Sequence, residues 1–184
     1  MKRNLLTLTL MCLCAVAMAQ ENSFSVSGGY AFGNIEDVNA DAEASGLRIN
    51  AVFEFNPGAT SFSHGLAVGY IGTTADFRSG SVNNNYEVNS FPIYYAPKFS
   101  VGKGNLKGFV KGALGTHITG YKHTGAIEIT STDMGFYGGL GAGASLNLGE
   151  KLFLSAEYEW AYMSNTFYRD GFMNSVMGGI GFRF

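Results

Sequence analysis

Cysteine is confined to the first few residues of this 184-residue chain, where Cys12 and Cys14 are the whole complement. Charge is scarce too: Asp, Glu, Lys and Arg make up 14% of the sequence, against roughly 25% in ordinary soluble domains. No uninterrupted apolar stretch reaches the roughly 20 residues that a membrane-spanning helix needs. Each shortage excludes something. Met1 to Ala19 begins basic (Lys2, Arg3), runs apolar from Leu5 to Val16 and ends on Ala17-Met18-Ala19, which reads as a secretory leader cleaved before Gln20. Lipidation at Cys14 is disfavoured, because Leu13 stands in a run where a lipobox needs a small residue. The exported part, residues 20–184, then has no cysteine, hence no disulfide framework and no thiol chemistry. Without Lys2 and Arg3, ten bases face fourteen acids, a formal net of −4, and nucleic acid is excluded as a partner. With so little charge, something other than water must face much of the surface.

What the chain has in quantity is glycine (26), phenylalanine (15) and tyrosine (10), set in alternation. In the closing stretch Val176, Gly178, Ile180, Phe182 and Phe184 share one parity, and Ser175, Met177, Gly179, Gly181 and Arg183 the other. That is a strand with one apolar face. The same period recurs at Phe24 to Phe32, Leu47 to Phe55, Leu66 to Tyr70, Val110 to Ile118, Met134 to Leu148 and Leu152 to Tyr162. The fourth strand is less regular: Phe91, Ile93, Tyr95 and Phe99 keep one parity and Val88 the other, while Pro92 cannot donate to a ladder. A bulge near Ser90 is expected to reconcile them.

Connections alternate between short turns (Asn56 to Ala59, Gly102 to Asn105, Gly149-Glu150) and longer polar stretches (Asn34 to Ser45, Asp76 to Asn85, Tyr121 to Ser131, Asn165 to Gly171). The pattern predicts an all-β fold: an eight-stranded antiparallel up-and-down transmembrane β-barrel, closed so that no strand edge is left unpaired in lipid. A secreted barrel with a greasy interior would share the period. The apolar face, however, is too bulky and aromatic to fit inside eight strands, whereas the opposite face is mostly Gly, Ala and Ser. Tyr30, Tyr70, Tyr158, Trp160 and Tyr162 fall towards the loop ends, and Phe53, Phe55, Phe99, Phe182 and Phe184 towards the turn ends, as two interfacial girdles would.

On this pattern, and on the terminal Gly179-Ile180-Gly181-Phe182-Arg183-Phe184, residues 20–184 resemble the small outer-membrane barrels of the OmpA and OmpX type, the outer membrane protein beta-barrel domain group. The resemblance implies the outer membrane of a Gram-negative-type bacterium. It also implies contact with outer-membrane lipids including lipopolysaccharide, and recognition of Gly179, Ile180, Phe182 and Phe184 by the barrel-assembly machinery. The barrel pattern runs to the last residue, so the peptidoglycan-binding domain of full-length OmpA is not expected here.

Catalysis has one foothold. Lipid A deacylases, also small barrels, use a His and a Ser two residues apart on the lipid side, with an acid orienting the His. His117-Ile118-Thr119 substitutes Thr for Ser and puts His117 on the lumen parity, so no catalytic residue is assigned. His64 and His123 stand near a turn and in a loop, no set has metal spacing, and no cofactor is implied. Glu36, Asp37, Asp41 and Glu43 could collect divalent cations at the cell surface, but the preferred reading is a solvated acidic loop. The glycines of the strands, including Gly139, Gly141 and Gly143, relieve crowding and do not cradle phosphate.

The charges on the lumen parity are Arg48, Glu54, Lys107, Lys111, Glu157, Glu159 and Arg183. Near-balance in a narrow interior predicts pairing: Lys111 with Glu157 or Glu159 at mid-height, and Glu54, Lys107 and Arg183 grouped at the periplasmic end. With Phe109, Tyr137 and Phe153 beside them, they are expected to plug the lumen. The function that follows is non-enzymatic, either membrane-stabilising or a surface interaction with a partner the sequence does not name. A narrow passive channel and a lipid A-modifying enzyme are the alternatives.

Overall fold

A computed structural model describes residues 21–36, 41–56, 61–79, 82–124, 128–164 and 168–184. The expected leader and the turn at Pro57-Gly58-Ala59 lie outside them. Nine strand segments form one sheet: β1 (Glu21–Glu36), β2 (Asp41–Asn56), β3 (Phe62–Ser79), β4 (Val82–Tyr95), β5 (Lys98–Val101), β6 (Leu106–Thr124), β7 (Ile129–Asn147), β8 (Leu152–Met163) and β9 (Phe172–Arg183). Neighbours around the sheet pair antiparallel, and β1 pairs with β9 from Ser23↔Arg183 to Gly33↔Met173, which closes the ring. At the seam, Asn22 and the terminal Phe184 exchange backbone hydrogen bonds of 3.1 and 2.9 Å.

β4 and β5 are one stave of an eight-stranded barrel. Both keep a single register against β3 (Leu66↔Tyr95, Ser63↔Lys98) and against β6 (Tyr95↔Leu114, Lys98↔Lys111). The expected bulge near Ser90 is therefore absent. Pro92 and Pro97 withhold donors without adding a residue, and bonds from Ala96 N to Gly65 O and from Gly112 N to Pro97 O carry the ladder over the gap. Val88 needs no reconciliation, because it points into the lumen with Ser90 and Tyr94.

Alternation sorts the two faces as a bilayer requires. Leu66, Leu140 and Ile93 are among the many large apolar side chains left exposed outside, while Arg48, Glu159 and Ser175 are wholly buried inside. The girdles close into contacts: Trp160 stacks on Phe172 at 4.7 Å near the loop end, and Phe53 meets Phe184 at 6.2 Å near the turn end.

Two of the expected polar loops, Asn34 to Ser45 and Asp76 to Asn85, are largely strand, and the third, Tyr121 to Ser131, belongs to the projecting hairpin that the strand character of Ala126-Ile127-Glu128-Ile129-Thr130 predicts. Pairing continues to Glu36↔Asp41, Ser79↔Val82 and His123↔Ile129, so those hairpins extend well past the girdles; Ala126 and Ile127 lie outside the described residues. β8 and β9 stop sooner. As a result β7 pairs with β8 only from Tyr137 onward, Phe136 exchanges bonds with Ser164, and among the described residues Ile129 to Gly135 has a ladder partner on one side alone.

Gly28 and Gly29 test the geometry of the closure. A Cβ on Gly29 would lie 1.9 Å from the Val176 carbonyl oxygen, whereas one on Gly28 would come no nearer than 3.8 Å to anything. Gly29→Ala is expected to abolish the heat-modifiable folded band on a gel and Gly28→Ala to retain it.

Candidate functional site in the barrel lumen

The lumen is built in three layers. At mid-height Arg48 of β2 reaches across to β8, placing Nη2 2.5 Å from Glu159 Oε1. The same nitrogen donates to the Tyr137 hydroxyl of β7 at 2.6 Å, and Nη1 donates to Ser175 of β9 at 3.1 Å. Tyr137 also donates to Glu159. Lys111 of β6 completes the bar, in contact with Glu157 and 3.1 Å from Glu159 Oε2, and with its ammonium 5.9 Å from the centre of the Tyr94 ring. The bar therefore ties together β2, β4, β6, β7, β8 and β9. Arg48, Tyr137 and Glu159 are 0% exposed, so each charge depends on its partners for solvation.

Above the bar lies a cap that sequence reasoning missed. Polarity from Asn165 to Gly171 predicts a simple loop. Instead Asp170 (φ 52°) and Gly171 (φ 74°) adopt left-handed conformations, and Gly171 N bonds to Tyr168 O at 2.9 Å. This tight turn folds Tyr168 into the barrel mouth, where its hydroxyl lies 2.8 Å from Thr73 of β3. Burial pushes the Tyr168 phenol up to about 12, so it stays neutral and able to hydrogen-bond. Beneath it His117 Nδ1 is 2.7 Å from Thr119 Oγ1, which is 2.7 Å from Ser90 Oγ. His117 and Thr119 are 0% exposed and face away from lipid, so an acyl chain in the bilayer cannot reach them.

Below the bar, at the turn end, is a vestibule of about 260 Å³. Glu54, Lys107 and Arg183 all line it, with Lys98 among them. The expected group gains a member, because the Glu54 carboxylate is held by Lys98, with Nζ 2.5 Å from both oxygens. Lys98 sits on the inner parity beside Phe99, and the proline-broken fourth stave hid that position. Arg183 donates to Asn147 Oδ1 at 2.8 Å and lies over the Phe153 ring at 4.7 Å.

His64, on the outer face, bonds Tyr95 and stacks on Phe55 at 5.3 Å, whereas His123, on the inner parity of the extended hairpin, stacks on the buried Tyr86 at 4.4 Å. Of the acidic loop cluster the Glu43 side chain alone is described, and it is exposed. Among the described residues no group of His, Cys, Asp or Glu could hold a metal ion.

Removing one partner of the bar leaves a buried charge uncompensated, at a cost of about 3–5 kcal/mol. Glu159→Ala should lower barrel stability by that amount in urea titrations of the lipid-folded protein. Arg48→Met combined with Glu159→Leu should recover most of the loss, since neither member of the pair then remains as a lone charge.

Residues 5–184 match the family described as the outer membrane protein beta-barrel domain. Among solved structures, the chain is similar to Ail, the attachment invasion locus protein of Yersinia pestis, in complex with the heparin analogue sucrose octasulfate. That likeness has 17% identity and a TM-score of 0.54, covering 89% of this chain and 99% of Ail. The Neisserial surface protein NspA is similar at 10% identity and a TM-score of 0.52, covering 88% and 97%. The N-terminal β-barrel domain of Pseudomonas aeruginosa OprF is similar at 12% identity and a TM-score of 0.51, covering 90% and 98%. At such identities the likeness establishes the fold. No curated protein matches the chain in sequence. A family match over nearly the whole chain, on a closed barrel with an apolar outer face, places this protein in the outer membrane protein beta-barrel domain family, in the cell outer membrane of a Gram-negative-type bacterium.

Proposed function

We propose that this protein is a non-enzymatic barrel with a plugged lumen that acts at the outer surface of its membrane. The observation that carries the reading is the mid-lumen bar. Arg48, Glu159, Tyr137 and Lys111 fill the cross-section from opposite walls, and eight strands leave an interior just wide enough for side chains. Tyr168 seals the mouth above. A narrow channel would need both obstacles to move, and a lipid-modifying enzyme would need His117 and Thr119 on the opposite face.

With the interior closed, the outward surfaces remain. Among the described residues Ile129 to Gly135 of β7 pairs with β6 alone, and although Asp133 Oδ1 takes the Met134 N–H, the remaining edge groups can take up an extended segment of another chain by strand addition. The structure of Ail holds a heparin analogue, but the rim here favours a protein partner. Glu43, Asp76, Glu87, Asp133 and Asp170 are exposed there, and the exposed Lys122 is 3.1 Å from Glu128. The apolar belt meets membrane lipid, with lipopolysaccharide as its outer-leaflet neighbour. The leader of residues 1–19 directs export, and Gly179, Ile180, Phe182 and Phe184 serve as the signal for the barrel-assembly machinery.

In planar bilayers the unmodified protein should give at most rare, small openings, and Lys111→Ala should make them more frequent; a steady, large conductance in the unmodified protein refutes the plug. Deleting residues 121–131 should preserve the heat-modifiable barrel while reducing adhesion of expressing cells to protein-coated surfaces by about tenfold, the cost of about 1.4 kcal/mol of lost binding. Unchanged adhesion would remove the strand-addition reading.

A further inference from the structure

We infer that the turn-end vestibule is a binding site for a small soluble oxyanion: phosphate, or a solute carrying a phosphate, sulfate or carboxylate group, entering from the periplasm. Its volume of about 260 Å³ is that of roughly nine waters at about 30 Å³ each. This suits a solute smaller than the ligands of ordinary drug-sized pockets.

Charge selects the ligand's sign. Four cations, Lys98, Lys107, Lys111 and Arg183, face two carboxylates, Glu54 and Glu157. Lys98 is committed to Glu54, and Lys111 to Glu157 and Glu159. Among the described residues Lys107 and Arg183 lie in no ion pair, and the one side-chain acceptor of Arg183 is the neutral Asn147. Two uncompensated positive charges thus share a blind cavity whose low-dielectric walls strengthen their field. A chloride ion would answer the charge alone.

The hydroxyl lining selects an oxyanion. Eight serines surround the vestibule. Ser63 is occupied, 3.5 Å from Glu54, and Ser27 makes a distant contact to the Met177 sulfur. Ser25, Ser145 and Ser155 retain O–H groups able to donate to phosphate-type oxygens, and charge-assisted bonds of that kind are about twice as strong as neutral ones. A lipid headgroup is ruled out as the source, since the strand ladder is closed around the cavity.

Isotope-labelled protein folded in uncharged detergent micelles, titrated with sodium phosphate at fixed ionic strength, provides the test. Saturable NMR shifts are expected at Ser25, Ser155 and Lys107, with sodium chloride producing none that saturate. Lys107→Gln should weaken phosphate binding about tenfold or more, as should Arg183→Gln, while the rim variant Lys122→Gln leaves it unchanged. Each variant is first checked for the heat-modifiable band, and if Arg183→Gln fails to fold, Lys107→Gln decides alone. Shifts that do not saturate, that chloride reproduces, or that survive Lys107→Gln unchanged overturn the site. The measurement reads the vestibule walls and is independent of whether the bar above conducts.

Discussion

In hydrocarbon an unpaired backbone N–H or C=O costs several kcal/mol, and this chain meets that constraint by returning β9 to β1. Closure is what allows the rest. With the staves paired on both sides through the membrane, side chains are free to sort by parity alone, apolar ones outward and polar ones inward. The prolines of the fourth stave show how much tolerance remains. Pro92 and Pro97 each remove a donor, yet one register holds on both flanks.

Closure at eight staves also fixes how little room is left inside. Glycine and serine let the walls approach, and the few long side chains must then share the remaining space. Arg48 and Glu159 are tolerated there only because each satisfies the other, with Tyr137, Ser175 and Lys111 taking up further bonding capacity. The crowding is uneven: the bar and the Tyr168 cap occupy the middle and the mouth, and free volume gathers at the turn end.

Barrel architecture is legible in the sequence because period-two alternation is a direct imprint of a two-sided environment. The inward placement of Arg48, Lys111, Glu157 and Glu159 follows from parity, and the pairing of Lys111 with these glutamates from near-balance of charge. Parity says nothing of who meets whom across a lumen, so the bond between Arg48 and Glu159, 111 residues apart, cannot be read from it. Polar composition misleads at the outer hairpins, where residues such as Asn83 to Asn85 read as loop although tertiary pairing holds them extended. Tyr168 is hidden for a different reason: its position depends on left-handed Asp170 and Gly171, a conformation that the Asp-Gly pair permits without dictating the direction of the neighbouring side chain.

The bar spans β2 and β8, which flank the two strands of the seam. A slip of two residues at the β1–β9 closure would preserve every inside-outside assignment, since side chains repeat with period two, and hydrophobicity alone would not resist it. Such a slip would displace β2 against β8 by about 7 Å at roughly 3.4 Å per residue, parting Arg48 from Glu159 and stranding both charges. The ion pair thus adds a register-specific energy to the closure, distinguishing the native ring from mis-registered rings of equal greasiness.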